Sequence, residues 1–127
     1  MKRIAVIDDD EVFQLIIQKQ IEMQNVECEI LKFFNGEEAI NYLIENIGHS
    51  EKLPQLIMLD VNMPIKDGWE FLEEYSQLTK VVRESIKLYM VTSSVIQSDI
   101  DKAKNDQNII DFVSKPITNN QLKNMLQ

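Results

Sequence analysis

Five side chains have the chemistry and the placement to act together on a phosphoryl group: Asp8, Asp9, Asp60, Thr92 and Lys115. Each follows a short apolar run. Residues 4–7 (IAVI) lead into Asp8-Asp9-Asp10, and LIML leads into Asp60 and a turn carrying Asn62, Pro64 and Asp67-Gly68. Residues 86–91 (IKLYMV) end at Thr92-Ser93-Ser94, and residues 109–113 (IIDFV) end at Ser114-Lys115-Pro116.

Carboxylates held close together raise one another's pKa values, and a divalent cation relieves that repulsion. A donor set of oxygens, without His or Cys, suits a hard ion, and Mg²⁺ tolerates several waters in its shell. Lys115 offers a compact positive charge for a phosphate oxygen. The Thr92 hydroxyl can donate to another. A carboxylate is itself a nucleophile towards phosphorus and gives an aspartyl phosphate. Such a transfer needs little beyond positioning and charge neutralisation. Three carboxylates, one Mg²⁺ and one lysine sum to about zero charge. Phosphorylation replaces the charge of Asp60 with roughly −1.5 to −2 and adds acceptor oxygens, towards which Thr92 and Lys115 can move.

For these residues to meet, the runs that end on them must be parallel strands of one sheet. LIML is short and unbroken, as a strand buried on both faces is. Helical patterns lie between the runs. Asp10 can cap a first helix in which Val12, Phe13, Ile16, Ile17, Gln20 and Ile21 fall at helical spacing. Residues 26–34 alternate Val26, Cys28 and Ile30 with Glu27 and Glu29, which suits an edge strand. Asn35-Gly36 is a turn, and Glu37 and Glu38 then open a second helix striped by Ala39, Ile40, Leu43, Ile44 and Ile47. A polar loop over 48–52 holds His49, expected to be solvated. Trp69, Phe71, Leu72, Tyr75 and Leu78 mark a third helix, and residues 79–85 a mixed continuation and connection. Ser98-Asp99 can start a fourth helix with Ile100 and Ala103, and Leu122, Met125 and Leu126 mark a brief fifth. Five β-α units in succession predict an α/β fold, a doubly wound five-stranded parallel sheet with helices on both faces. Every strand then ends on the same rim, where open α/β sheets bind ligands.

The composition narrows the function classes. The chain has 127 residues, enough for one domain with a real core. Its formal net charge of −8 argues against nucleic acid or an anionic membrane as a direct partner, since both need a basic face. The single cysteine, Cys28, allows no intrachain disulfide and suits a reducing, cytoplasmic location. Residues 4–7 are too short for a signal-peptide core, and no apolar run approaches membrane-spanning length. The chain stops within the fifth helix, so no effector domain is expected.

The segments IDDD, LDVNMPIKDG, MVTSS and FVSKP come in the order and approximate spacing of response regulator receiver domains, and on them the chain resembles that family over residues 1–127. The resemblance implies a flavodoxin-like (βα)5 sheet of order 2-1-3-4-5. It implies Asp60 as phosphoacceptor. It implies Asp9, Asp60 and the backbone carbonyl of Asn62 as direct Mg²⁺ ligands, with Asp8 acting through water. Thr92 takes the place of the family's switch hydroxyl, Lys115 of its lysine, and Phe112 of its switch aromatic. Lacking a hydroxyl, Phe112 can switch only by repacking. The Lys115–Pro116 peptide is expected to be cis. Residues 48–52 and 79–85 exceed the minimal family pattern. Ser94 and Asn62 are expected to tune dephosphorylation.

The expected function is that of a single-domain response regulator. It is phosphorylated on Asp60 by a histidine kinase or phosphotransfer protein and signals by binding a downstream protein. The output surface implied by the family comprises residues 96–103, 109–112 and 119–127, on a monomer or weak homodimer. It is not expected to be an enzyme beyond intrinsic self-phosphorylation and dephosphorylation. The alternative is a Mg²⁺-dependent phosphohydrolase similar to the haloacid dehalogenases, because Asp8-x-Asp10-x-Val12 fits that nucleophile motif. Against it, no Asp or Glu follows Lys115, where a further acidic motif belongs. A third reading, a receiver-like binding module that is never phosphorylated, sits poorly with a complete residue set.

Overall fold

The structure, a computed structural model, describes residues 1–93 and 96–127. Its strands are β1 (Lys2–Ile7), β2 (Cys28–Phe33), β3 (Leu56–Leu59), β4 (Lys87–Thr92) and β5 (Ile109–Ser114). They form one parallel sheet in the order β2-β1-β3-β4-β5. This is the flavodoxin-like doubly wound fold, with β2 at the edge as its half-polar sequence predicts. All four β3 residues are buried, as are the last four of β1.

The described residues form six α-helices: α1 (Glu11–Met23), α2 (Gly36–Glu45), α3 (Gly68–Tyr75), α4 (Lys80–Glu84), α5 (Gln97–Asn105) and α6 (Asn119–Leu126). Five of them begin on a side chain that accepts from the first-turn amides: Asp10, Asn35, Asp67, Thr79 and Thr118. Each such cap contributes about 1 kcal/mol by satisfying donors that a helix leaves unpaired. The Asp67–Glu70 and Thr118–Gln121 pairs are reciprocal capping boxes. α5 differs. Its preceding residue is Ile96, whose side chain makes no cap, so the expected start at Ser98-Asp99 is not used.

Two core layers result. Ala5, Ile7, Ile57, Leu59, Leu88 and Met90 face α2 and α3, with Val82 of α4 in the same layer. Ile4, Val6, Leu56, Met58, Val91 and Val113 face α1 and α6. The split follows from the period of two along each strand.

Several helix faces differ from the sequence pattern. On α1 the buried face is Phe13, Gln14, Ile17 and Ile21, whereas Val12 and Ile16 are 65% and 51% exposed. The apolar residues of α1 fall on two faces, and the polar Gln14 lies in register with Ile17 and Ile21 on the inner one. Gln20 sits at the α1–α6 seam, donating to the Ile117 carbonyl (2.9 Å). Ile44 and Ile47 lie outside the buried stripe of α2. α3 ends at Tyr75, before Leu78. Residues 79–85 do not continue α3 but contain a separate helix, α4, held by the Arg83 guanidinium on the Leu78 carbonyl (2.9 Å) and Asn108 (3.3 Å). The 48–52 loop contains a 3-10 turn (Ser50–Lys52), which Arg3 ties to β1 through the carbonyls of Leu53 (2.9 Å) and Ser50 (3.2 Å). His49 is exposed, as expected.

α3 begins in direct contact with the chain leaving β3. The Gly68 amide donates to the Val61 carbonyl (2.8 Å). A Cβ at Gly68 would lie 2.3 Å from the Asp60 carbonyl oxygen, closer than backbone atoms can approach. At Gly48 a Cβ would meet nothing within 4 Å. Gly68→Ala is therefore expected to lower stability by about 1–3 kcal/mol, in the manner of an overpacked core site. Gly48→Ala should stay within about 0.5 kcal/mol of the parent. Urea midpoints of the two variants decide this, and equal midpoints would contradict the packing argument.

Candidate functional site

The five residues singled out in the sequence meet at one rim of the sheet, and the strand ladder itself brings three of them there. Asp8, Asp60 and Lys115 each donate their own backbone amide to the last residue of a neighbouring strand. Asp8 bonds the Phe33 carbonyl (2.9 Å), Asp60 the Ile7 carbonyl (2.9 Å) and Lys115 the Thr92 carbonyl (3.0 Å). Each functional residue is thus one ladder step beyond its strand, where the backbone is still held but the side chain can turn to the rim. Thr92 ends β4 and is fully buried. Ser94 lies outside the described residues.

The side chains form a tight charge cluster. Lys115 Nζ is 2.6 Å from Asp8 Oδ2 and 3.6 Å from Asp60 Oδ2. It also lies over the Phe13 ring, 4.3 Å from its centroid, an attraction of the ammonium to the π face. Phe13 was legible only as a core residue. The second oxygen of each buried acid takes a backbone amide: Asp8 Oδ1 from Asp10 (2.9 Å) and Asp60 Oδ1 from Val61 (2.8 Å). The Lys115–Pro116 peptide is cis, as expected.

Burial pushes the Asp8 carboxyl from its ordinary 3.8 up to about 6. The Lys115 ammonium and the Asp10 amide pull it back, and the Asp60 charge adds a smaller upward push. The sequence had pointed to mutual repulsion as the reason for raised values. For Asp8, loss of water is the larger cause.

Asp8, Asp9 and Asp60 each present an oxygen, all within 4.8 Å of one another. A hexacoordinate Mg²⁺-sized ion holds its ligands at about 2.0–2.1 Å, so opposed oxygens stand about 4.2 Å apart. The cluster is close to that size and its donors are all hard oxygens, so these residues fit a divalent cation. Both Asp8 oxygens are engaged, by Lys115 and by the Asp10 amide, while the Asp9 side chain is exposed. That division favours a direct role for Asp9 and an indirect one for Asp8.

The turn after Asp60 keeps Asn62 at the surface. Its backbone bonds run from Gly68 to Val61, from Lys66 to Pro64 (2.7 Å) and from Gly36 to Lys66 (2.8 Å), so among the described residues they do not use the Asn62 carbonyl. Ile65 takes φ 67° at the crest of this turn. A β-branched residue there carries strain of about 1–3 kcal/mol. Phe112 is half-buried on β5, where Met90 pairs with Phe112 and Thr92 with Ser114. By strand periodicity Phe112 therefore shares a sheet face with Thr92.

Comparison with known proteins supplies the frame for this site. A family model for the response regulator receiver domain matches residues 4–127. The crystal structure of a two component response regulator from Cytophaga hutchinsonii is 29% identical, with a TM-score of 0.87 over 99% of this chain and 94% of that one. The response regulator Rcp1 of Synechocystis is 29% identical over 101 residues, covering 78% of this chain and 67% of Rcp1. A crystal structure of a Mn²⁺-bound form of response regulator Rcp1 has a TM-score of 0.79 over 98% of this chain and 89% of that one, at 23% identity.

The Asp8 shift has a consequence for stability in the metal-free protein. The fold favours the neutral carboxyl, so the stability it contributes is complete below 3.8 and is lost as pH rises through about 6. At pH 7 the ionised group therefore weighs against folding, by up to roughly 3 kcal/mol. Asp8→Asn is expected to stabilise the metal-free protein at pH 7 by about 1–3 kcal/mol and to flatten its stability between pH 4 and 7. Urea titrations in EDTA measure both. A variant less stable than the parent at pH 7 would show that the Lys115 ion pair outweighs burial.

Proposed function

The chain belongs to the response regulator receiver family, and on that premise we propose that Asp60 is its phosphoacceptor. The donor is a phosphohistidine of a histidine kinase or phosphotransfer protein. The observation that carries the reading is Lys115 Nζ lying against both Asp8 and Asp60 at the rim where the three acids converge.

Asp60 Oδ1 is held by the Val61 amide, which fixes the carboxylate plane and leaves Oδ2 as the nucleophile. A bond forms from that oxygen to phosphorus, the phosphorus–nitrogen bond of the donor breaks, and the imidazole leaves. Asp9, Asp60 and the Asn62 carbonyl would hold a Mg²⁺ ion directly, and Asp8 would do so through water. When bound, such an ion would supply neutralisation of the phosphoryl oxygens. Lys115 turns from Asp8 to a phosphoryl oxygen, and the Thr92 hydroxyl donates to another.

The readout follows from where Thr92 sits. It leads towards α5, of which Ala103 is the one fully buried residue. An element so lightly packed can shift at low energetic expense. Phosphorylation then favours an arrangement in which Thr92 and α5 move towards the new charge and Phe112 repacks. A near-complete reversal of the two populations needs roughly 5.5 kcal/mol of differential stabilisation. The output face is α5, β5 and α6, residues 96–103, 109–112 and 119–127, on which Ile96 and Ile110 are exposed. The protein signals from this face by binding another protein in the cytoplasm, as a monomer or weak homodimer, without contacting nucleic acid. No described helix is long and apolar enough to cross a membrane.

The phosphohydrolase alternative is not supported by the family match. The Asp10 carboxylate also accepts from Val12 and Phe13 at the start of α1, a helix cap rather than a second catalytic acid.

Acetyl phosphate with Mg²⁺ is expected to add one phosphoryl group, read by intact-mass spectrometry, and Asp60→Asn to abolish it. Labelling of Asp60→Asn to the parent's extent would remove Asp60 from the role. Sustained phosphate-ester turnover dependent on Asp8 would restore the hydrolase reading.

A further inference from the structure

Gln14 is a polar side chain turned inward from α1, 2% exposed. Its Nε2 lies within hydrogen-bonding distance of three backbone carbonyls, Val6 (3.0 Å), Asp8 (3.1 Å) and Phe33 (3.1 Å), which share its two hydrogens. The orientation of the amide is settled by chemistry, because an oxygen in that position would face three carbonyl oxygens. Its Oε1 is buried and has no hydrogen-bond partner among the described residues. The group is placed for what it donates.

Those donations close a circuit around the three acids at the tip of β1. The Asp8 carboxylate accepts from the Asp10 amide (2.9 Å). The Asp10 carbonyl accepts from the Gln14 amide (3.0 Å). The Gln14 side chain returns to the Asp8 carbonyl. The bonds to Val6 and Phe33 anchor this circuit to β1 and β2, where their ladder ends at the Ile7–Phe33 pair. Asp9 lies inside the loop so closed. Its side chain is exposed, so its position over the cluster depends on the backbone that carries it.

We propose that Gln14 is a positioning residue for the metal site, holding Asp8, Asp9 and Asp10 as one unit so that the Asp9 carboxylate is aimed before the cation arrives. The inference rests on the metal reading above. It differs from a packing role in one respect: methionine would fill the same space but could not donate.

The test compares the full chain with Gln14→Met, using Mg²⁺ titration calorimetry, urea unfolding and acetyl phosphate labelling. Gln14→Met is expected to fold cooperatively yet bind Mg²⁺ about tenfold or more weakly, as when other groups that orient metal ligands are removed. Its labelling should need about tenfold or more Mg²⁺ to reach half of its own maximum, because the substitution weakens affinity for the ion. Equal Mg²⁺ affinity in a folded Gln14→Met would overturn the proposal. Should Gln14→Met not fold, the side-chain NH2 resonances of Gln14 in the parent protein decide: they shift on adding Mg²⁺ if the circuit orients the site, and unchanged resonances overturn it. Absence of Mg²⁺ binding by the parent would instead overturn the metal reading itself, and this inference with it.

Discussion

At the rim of the sheet a single ammonium stands between two carboxylates, and all three are largely out of water. Taking such charges out of water costs several kcal/mol per ion, and attraction offsets this only in good geometry. Here the offset is incomplete, since burial still holds the Asp8 carboxyl at about 6 despite Lys115 2.6 Å away. With Asp9 added, the cluster is short of positive charge. As a device for stability this is poor. As a place for a cation and then a phosphoryl group, it is already arranged, because the charges that must be met are held before the ligand comes.

What holds them is backbone. The ladder continues one step past β1, β3 and β5, and each extra step carries one functional residue. Caps extend the same logic, since Asp10 starts α1 while its carbonyl takes the Gln14 amide. Gly68 lets α3 start against the Asp60 carbonyl, and the Gly36–Lys66 bond ties the start of α2 to the turn after β3. Sites supported by strand ends and helix starts need few side-chain contacts of their own to be accurate.

α5 is less tied down: it has no side-chain cap and only Ala103 fully buried, and polar contacts join it to α3. Trp69 donates its ring N–H to Asp99 (3.1 Å), and Lys102 lies over the same ring at 4.7 Å. Partly exposed contacts of this kind contribute little and exchange readily. A rigid acidic rim beside a loosely held helix is the physical combination a charge-driven switch needs.

Much of this was legible from residue order. Apolar runs ending in Asp8, Asp60, Thr92 and Lys115 required a parallel sheet with those ends on one rim, because every parallel strand ends on the same side. The edge position of β2 followed from its half-polar alternation and the cap at Asp10 from its type, whereas Asn35, read only as part of a turn, is shown by the structure to cap α2. Helix faces were less legible. Val12 and Ile16 look as apolar as Ile17 and Ile21, and only packing against the sheet decides which face turns in. Gln14 reads as a surface residue by type, although its spacing from Ile17 and Ile21 places it inside; its importance needs the carbonyls of Val6, Asp8 and Phe33, which come together only in the fold. The same holds for α4, where a local cap and the reach of Arg83 to Asn108 make a separate helix of a stretch that reads as a mixed continuation and connection. The sequence by itself determined the succession of five strands and their helices and which residues end those strands, because periodicity and residue type are local properties of the chain; the order of the strands in the sheet came only with the family resemblance. The tertiary structure alone decided which side chains lose water, which oxygen meets which donor and why Asp8 is hard to ionise, because these depend on atoms far apart in the chain and close in space.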